Sequence, residues 1–391
     1  MGRLRYLTAG ESHGPALVAI LEGLPAGVPV SKKAIADELA RRRMGHGRGP
    51  RMKIEADELE ILSGVRGSRT LGSPVALIVR NSEYEQKWAH VMPIEGDPGG
   101  RSLTRPRPGH ADLVGMLKYD FDDARDVLER ASARETAARV AIATVARSLL
   151  SVLGIEIMSH VVRIGEAAVP DGSPRPAPSD RETLDSSPVR CFDEATGAAM
   201  VEGIDQAQAE GDSLGGIVEI LAFGLPPGLG SHVHWDRKLD GRLAAELMAV
   251  HAIKGVEIGD GFASAARRGT VAHDEIEADG SRATNRAGGT EGGMTVGGTL
   301  RLRAAMKPLS TLKKRLKTLD METREPAEAF QERTDACAVP AAGVVCEAVV
   351  ALVLADAVLE KFGGDTMDEL KASFDIYLKR VSERLRSPSP E

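Results

Sequence analysis

Two histidines stand in turns whose backbone is restricted by glycine or proline: His13 in Gly10-Glu11-Ser12-His13-Gly14, and His110 in Arg107-Pro108-Gly109-His110-Ala111-Asp112. A rigid turn holds an imidazole in one orientation, and imidazole titrates near neutral pH, as general acid catalysis requires. One loop histidine is more often structural or solvated; two of them in restrained turns beside acids or arginines are less easily dismissed. Neither spacing suits zinc, so no metal site is expected. Arginine is locally dense, in Arg41, Arg42, Arg43, Arg48 and Arg51, in Arg101, Arg105 and Arg107, and in Arg130 and Arg134. Against a formal net charge of −7, such clusters point to a focused pocket for a small polyanion. Any single cluster is better read as solvated surface.

Ser132-Ala133-Arg134-Glu135 fits a capping box, with serine at the N-cap and glutamate three residues on. With Arg130 and Arg134 alongside, the free N–H groups of that helix start would make an anion site. Lys307-Pro308-Leu309-Ser310-Thr311 offers donors that suit a phosphate tail. Gly288 to Met294, with Gly292 inside it, is glycine-rich but is neither a dinucleotide fingerprint nor a Walker loop. It reads as a mobile loop unless a ligand needs close backbone approach. Asp335 reads first as a helix N-cap; in a pocket of arginines it would stay ionised and could move a proton.

These residues need elements to position them. Strands are expected at Ala16 to Leu21, Val75 to Val79, Ile155 to Ile164, Ile217 to Phe223 and Leu300 to Met306. The last sets Leu300, Leu302 and Ala304 on one face and Arg301 and Arg303 on the other. Helices are expected at Lys32 to Arg43, Thr136 to Leu153, Lys238 to His251 and Ala341 to Lys361, with Ser31 as an N-cap and Gly154 and Gly363 as stops. Val169 to Val189 reads as a surface excursion. Glu129-Arg130-Ala131-Ser132-Ala133 and Glu332-Arg333-Thr334-Asp335-Ala336 each open a long apolar helix, which leaves an internal duplication open.

Composition sets the class. Of 391 residues 42% are hydrophobic and 27% charged, as in a soluble globular protein, and with 3% aromatics the core must be aliphatic. The acidic balance and scarce aromatics weigh against nucleic-acid binding. Ala341 to Leu359 is apolar enough for a membrane, yet Glu347 and Asp356 interrupt it, so a buried core helix is expected. Cys191, Cys337 and Cys346 form no framework, and the opening MGRLRYLTAGESHG holds no signal-like apolar run; a cytoplasmic protein is expected. The residues alone describe an enzyme for a small anionic, phosphorylated ligand, or a non-catalytic binder of one.

The motifs GESHG from Gly10, RRRMGHGRGPRM from Arg41, RPGHAD from Arg107, ERASARETAAR from Glu129, AIKGVEIGDGF from Ala252, NRAGGTEGGM from Asn285, MKPLST from Met306 and RTDACAVPAAG from Arg333 together resemble the chorismate synthase family. The resemblance runs through nearly the whole chain. It implies an α+β fold, a single β-α-β sandwich domain over residues 1–384 with two antiparallel sheet layers; the Ser/Pro-rich tail over 385–391 is expected to fray. It implies a homotetramer; that no nucleic acid and no membrane are partners is expected from the charge and the interrupted apolar run. The implied reaction is anti-1,4 elimination of phosphate from 5-enolpyruvylshikimate 3-phosphate, using reduced FMN, with NADPH or an external flavin reductase as the source of electrons. Carried over by motif, His110 would serve the flavin, His13 the leaving phosphate, and Asp335 proton removal. FMN contacts would come from Arg130, Ala131, Ser132, His251, Ala252, Gly292, Lys307 to Thr311 and Arg333. Arg42, Arg48, Arg107, Arg134 and Arg333 would bind substrate or line its entrance, where NADP would also dock. His251 departs from the family, which commonly has an amide there.

Overall fold

The computed structural model describes residues 3–48, 57–332 and 335–385. Arg333, one of the expected cofactor contacts, and residues 386–391 of the expected tail lie outside them; Leu385 is still helical.

Nine strands form two larger antiparallel sheets. β1 (Arg5–Ala9), β2 (Ala16–Glu22), β3 (Glu58–Ser63) and β4 (Val75–Arg80) pair in the order β1-β2-β4-β3. β5 (Glu156–Ile164), β6 (Ala167–Ala168), β7 (Gly216–Phe223), β8 (Ile253–Ile258) and β9 (Leu300–Met306) pair in the order β8-β9-β7-β5-β6. Period-two patterning decides which face each strand buries. In β4, Val75, Leu77 and Val79 are buried, and in β9 Leu300, Leu302 and Ala304.

The long helices close over those apolar faces. α1 (Lys32–Arg43) is capped by Ser31, whose hydroxyl accepts from the Ala34 N–H. α2 (Asp112–Tyr119) and α3 (Arg125–Ala131) precede α4 (Thr136–Val152), and α5 (Glu194–Glu210) and α6 (Leu239–Met248) come before α7 (Val339–Phe362) and α8 (Met367–Leu385). α4 packs on β2 and β4, α7 packs on β5 and β7, and α4 and α7 pack on each other. Small residues permit the close approach. A Cβ on Gly343 of α7 would come within 2.7 Å of Ser159 Oγ on β5. One contiguous core runs from Leu17 to Phe374, and Phe374 is the sole buried aromatic among the described residues. Each large aliphatic side chain buried there contributes about 1.5–3 kcal/mol. α7 is long and apolar enough to cross a bilayer, but its apolar stretch is wholly buried in this core.

Three local expectations are corrected. Asp335 is not an N-cap: α7 starts at Val339 after Ala338, where Pro340 in the first turn loses no helical N–H bond. The capping box over 132–135 forms only by half. Ser132 Oγ accepts from the Arg134 N–H, whereas Glu135 turns to Thr8 Oγ1 at 2.6 Å and to Arg139. Val169 to Val189 is not wholly a surface excursion, because Arg181–Ser186 is helical and Leu184 and Val189 are buried.

Candidate active site

His13 enters the site on the turn after β1. The Ser12 N–H donates to the Glu129 carbonyl at 2.9 Å, which ties this turn to α3. The Glu129 carboxylate then takes the His13 backbone N–H at 2.8 Å and its Nδ1 at 2.9 Å. Burial would raise the Glu129 pKa, but its bonds to His13 and the charge of Arg125, 3.1 Å away, hold it below the ordinary carboxylate value. The carboxylate therefore fixes the imidazole's tautomer and direction. On the ring face lies Trp88, with centroids 3.7 Å apart and planes 25° from parallel. Sequence reasoning missed Trp88, because a stack between residues so far apart leaves no local pattern. Glu129 was visible as part of a motif but not as the partner of His13.

Removing the stack should loosen His13 without unfolding the protein. Stacked ring pairs are worth about 0.5–1.5 kcal/mol beyond area burial, so Trp88→Leu should lower turnover roughly two- to tenfold. Steady-state kinetics checks this; unchanged turnover would show that Glu129 alone positions the ring.

His110 is held the same way from the start of α2. Its Nδ1 bonds Asp112, which is fully buried and also takes Arg107 through the backbone N–H at 3.1 Å and Nε at 2.8 Å. Burial opposes ionisation of Asp112, yet the bonds from His110 and Arg107 bring its pKa down from 3.8 to about 2. Arg107 is further committed to Thr311 Oγ1 at 2.9 Å and to the face of Phe330 at 4.7 Å. A carboxyl that titrates lower when folded contributes stability that is complete above the unfolded value and is lost as pH falls through the folded one. For Asp112 that window runs from about pH 4 down to about pH 2. Thermal melts of Asp112→Asn should show a shallower fall there than the parent; an identical fall would contradict the assignment.

Both histidines line one cavity of about 480 Å3. Around it stand Arg42, Arg48, Arg107, Arg134 and Lys307, opposed among the lining residues by Glu332 and Asp335. Arg48 Nη1 pairs with Asp335 Oδ2 at 3.0 Å, and buried Arg134 pairs with Asp57 at 2.5 Å. The loop carrying Arg48 is set by Gly47, whose φ of +80° and close approach to Ile204 (2.6 Å from an added Cβ) exclude a side chain. Ala131, Ser132, His251, Ala252 and the run Lys307 to Thr311 also line the cavity. Lys307 Nζ donates to the Gly109 carbonyl, and the Lys307 N–H to the Ala252 carbonyl at 3.0 Å. Leu128, Val250, Met306, Ala342 and Val345 give an apolar wall suited to a flat ring. His251 Nδ1 is buried with no hydrogen-bond partner, and burial keeps this imidazole's pKa below the ordinary value.

Two expected contacts fall outside the lining. Arg130 is exposed and spends its guanidinium on the Gly10 and Thr8 carbonyls at 3.1 and 2.9 Å. Gly292 sits in the turn between two short strands, with nothing within 4 Å of an added Cβ.

A family model described as chorismate synthase matches residues 4–359. The chain belongs to the chorismate synthase family. It is 60% identical to the chorismate synthase of Leifsonia xyli subsp. xyli, over 98% of this chain and 97% of that one. It is likewise 60% identical to that of Acidothermus cellulolyticus, over 97% and 100%. A solved crystal structure of chorismate synthase superposes with a TM-score of 0.78 at 43% identity, covering 97% of this chain and 98% of the other. Chorismate synthase is a phosphate lyase, and its activity is the final step of the shikimate pathway to aromatic amino acids.

Proposed function

We propose that the cavity binds reduced FMN beside 5-enolpyruvylshikimate 3-phosphate and carries out the anti-1,4 elimination there, with no net redox change. The observation that carries this is the convergence of His13, His110 and the arginines on one cavity that also has an apolar wall. The residues fit a flavin: His251 Nδ1 lacks a partner, the wall is apolar, and Lys307, Ser310, Thr311 and Ser132 offer donors for a phosphate tail. Reduced flavin, when bound, supplies the electron density that eases phosphate loss, and the protein supplies position and electrostatics.

In this reading Arg42, Arg48 and Arg134 hold the carboxylates and phosphate of the substrate. Guanidinium groups are forked donors matched to both. Arg107 is a positioning residue, since its donors hold Asp112 and Thr311. His13, oriented by Glu129, gives a proton to the phosphate as its bond to C3 breaks. His110, oriented by Asp112, holds a proton against the flavin. Asp335, paired with Arg48, assists removal of the C6 proton as the new double bond forms. The electrons that first reduce the flavin come from NADPH or an external reductase.

The finer architecture belongs to the same reading. Contacts of α4 with one sheet, α7 with the other, and of the two helices with each other support one β-α-β sandwich over 1–384. The equal offsets from Glu129 to Thr136 and from Glu332 to Val339, where α4 and α7 begin, support an internal duplication. A cytoplasmic homotetramer completes the reading.

A colorimetric phosphate assay separates catalysis from mere binding. Phosphate should be released from the substrate with reduced FMN under anaerobic conditions and not with oxidised FMN. Binding of the substrate without phosphate release would instead describe a non-catalytic metabolite-binding protein.

A further inference from the structure

The outer face of the larger sheet carries a second cavity of about 400 Å3, toward the small end of ligand pockets. Its floor comes from the strand positions that point away from the helices: His160 on β5, Glu219 on β7, and Arg301 and Arg303 on β9. Those positions follow from β9 itself, where Leu300, Leu302 and Ala304 are turned into the core. The loop through Arg175 and the turn carrying Asp260 and Arg267 form the walls.

Its charges do not balance. Five arginines line it against Glu219, Asp260 and Asp171. Glu219, 1% exposed, is shared by His160 Nε2 at 3.1 Å, Arg175 Nε at 2.9 Å and Arg303 Nε at 2.9 Å, with Arg301 at 3.8 Å. Asp260 takes Arg301 and, at 2.5 Å, Arg267. Arg163, on the exposed side, makes no ion pair among the described residues. Two floor residues are also unsatisfied: His160 and Arg301 are each 3% exposed, and the buried His160 Nδ1 and Arg301 Nε have no hydrogen-bond partner. Concentrating cations in a desolvated pocket is costly unless an anion answers them.

We propose that this cavity is a second binding site, separate from the catalytic one, for a compact dianion: a dicarboxylate or a phosphomonoester. Forked guanidinium donors suit both groups, and the excess of two arginines over carboxylates sets the charge. Bound there, the ligand accepts from Arg163 and Arg175 at the mouth and meets Arg301 Nε and His160 Nδ1 on the floor. β9 runs from this cavity to Met306 in the wall of the catalytic one, so one strand links the two sites.

The test is calorimetric titration of the full chain with malonate and, separately, with inorganic phosphate, against sodium chloride at matched ionic strength. Arg163→Ala/Arg175→Ala removes two exposed side chains and leaves His160 and Arg303 on Glu219, with thermal melting of the double variant checking the fold, while Arg48→Ala marks the catalytic cavity. Two classes of anion site are expected. The double variant should weaken one class roughly tenfold or more, and Arg48→Ala only the other. Whichever of malonate and phosphate loses more affinity identifies the ligand chemistry. A single class abolished by Arg48→Ala, or titrations unaltered in the double variant, would overturn the proposal. So would a double variant that changes the sedimentation of the chain while both anion classes persist, since the cavity would then belong to an interface between copies.

Discussion

His13→Ala should turn over about 10²- to 10⁴-fold more slowly than the parent, the usual worth of a positioned acid or base, while melting within a few degrees of it. The expectation rests on the geometry of the ring. Its Nδ1 is taken by Glu129 at 2.9 Å, and Trp88 covers its face, so the imidazole is aimed and not merely present. Alanine removes the proton donor but leaves Arg42, Arg48 and Arg134 to hold the anion, so KM should move much less than kcat. Glu129→Gln is the informative companion. It keeps the shape but loses the charge that holds the imidazole in place, and should lower kcat with little change in KM. A His13→Ala enzyme at parental turnover would remove His13 from the chemistry.

The second large effect is on stability, at a point where α1, α4, α7 and the larger sheet meet. Glu347 on α7 is fully buried, and its carboxylate accepts from Arg41 of α1 at 3.0 Å, Arg147 of α4 at 3.2 Å, Arg190 at 3.1 Å and Ser159 Oγ of β5 at 2.7 Å. Burial opposes its charge, but the guanidinium groups around it win and hold its pKa well below the ordinary carboxylate range. One side chain thus ties α1, α4, β5 and the loop of Arg190 together, with Glu38 and Asp185 sharing the same guanidinium groups. Glu347→Ala leaves those arginines with only Glu38 and Asp185 to answer them around the emptied position, and breaking such a buried set by removing one member costs about 3–5 kcal/mol. Urea denaturation should show this as a lower midpoint at similar slope. Glu347→Gln, which retains the volume and the bond to Ser159, should lose less. An alanine variant within about 1 kcal/mol of the parent would mean that the arginines find water when the carboxylate is gone.

What could be read from residues alone follows the range of the forces involved. β9 was legible because alternation of Leu300, Leu302 and Ala304 with Arg301 and Arg303 is a local consequence of the strand's period. α1 and α4 were legible from caps and apolar runs, to within a residue. α5 was missed although Asp193 caps it and Gly211 ends it, because its buried face consists only of Gly197, Met200, Ile204 and Ala207. That face is too weakly apolar to stand out. β3 and β8 were missed because neither announces itself without its neighbours in the sheet.

The site divides in the same way. Residue types at His13, His110 and the arginines could be chosen from turns and clusters, since reactive groups must be of particular kinds. Their partners could not, except by family likeness. The pairing of Arg48 with Asp335, the Trp88 stack and the bond from Arg107 to Thr311 are made by tertiary packing. Asp335 shows the cost of a local rule: three residues too early to cap α7, it was drawn instead to an arginine from the other end of the chain.

In the proposed reaction the shared cavity uses a reduced flavin to expel phosphate and gets the flavin back unchanged. Anaerobic rapid mixing of the protein, dithionite-reduced FMN and 5-enolpyruvylshikimate 3-phosphate, followed at chorismate and flavin absorbances together, tests it most directly. Chorismate should form over many turnovers while the flavin ends reduced. Oxidation of one flavin for each phosphate released, or phosphate release with no chorismate, would contradict it.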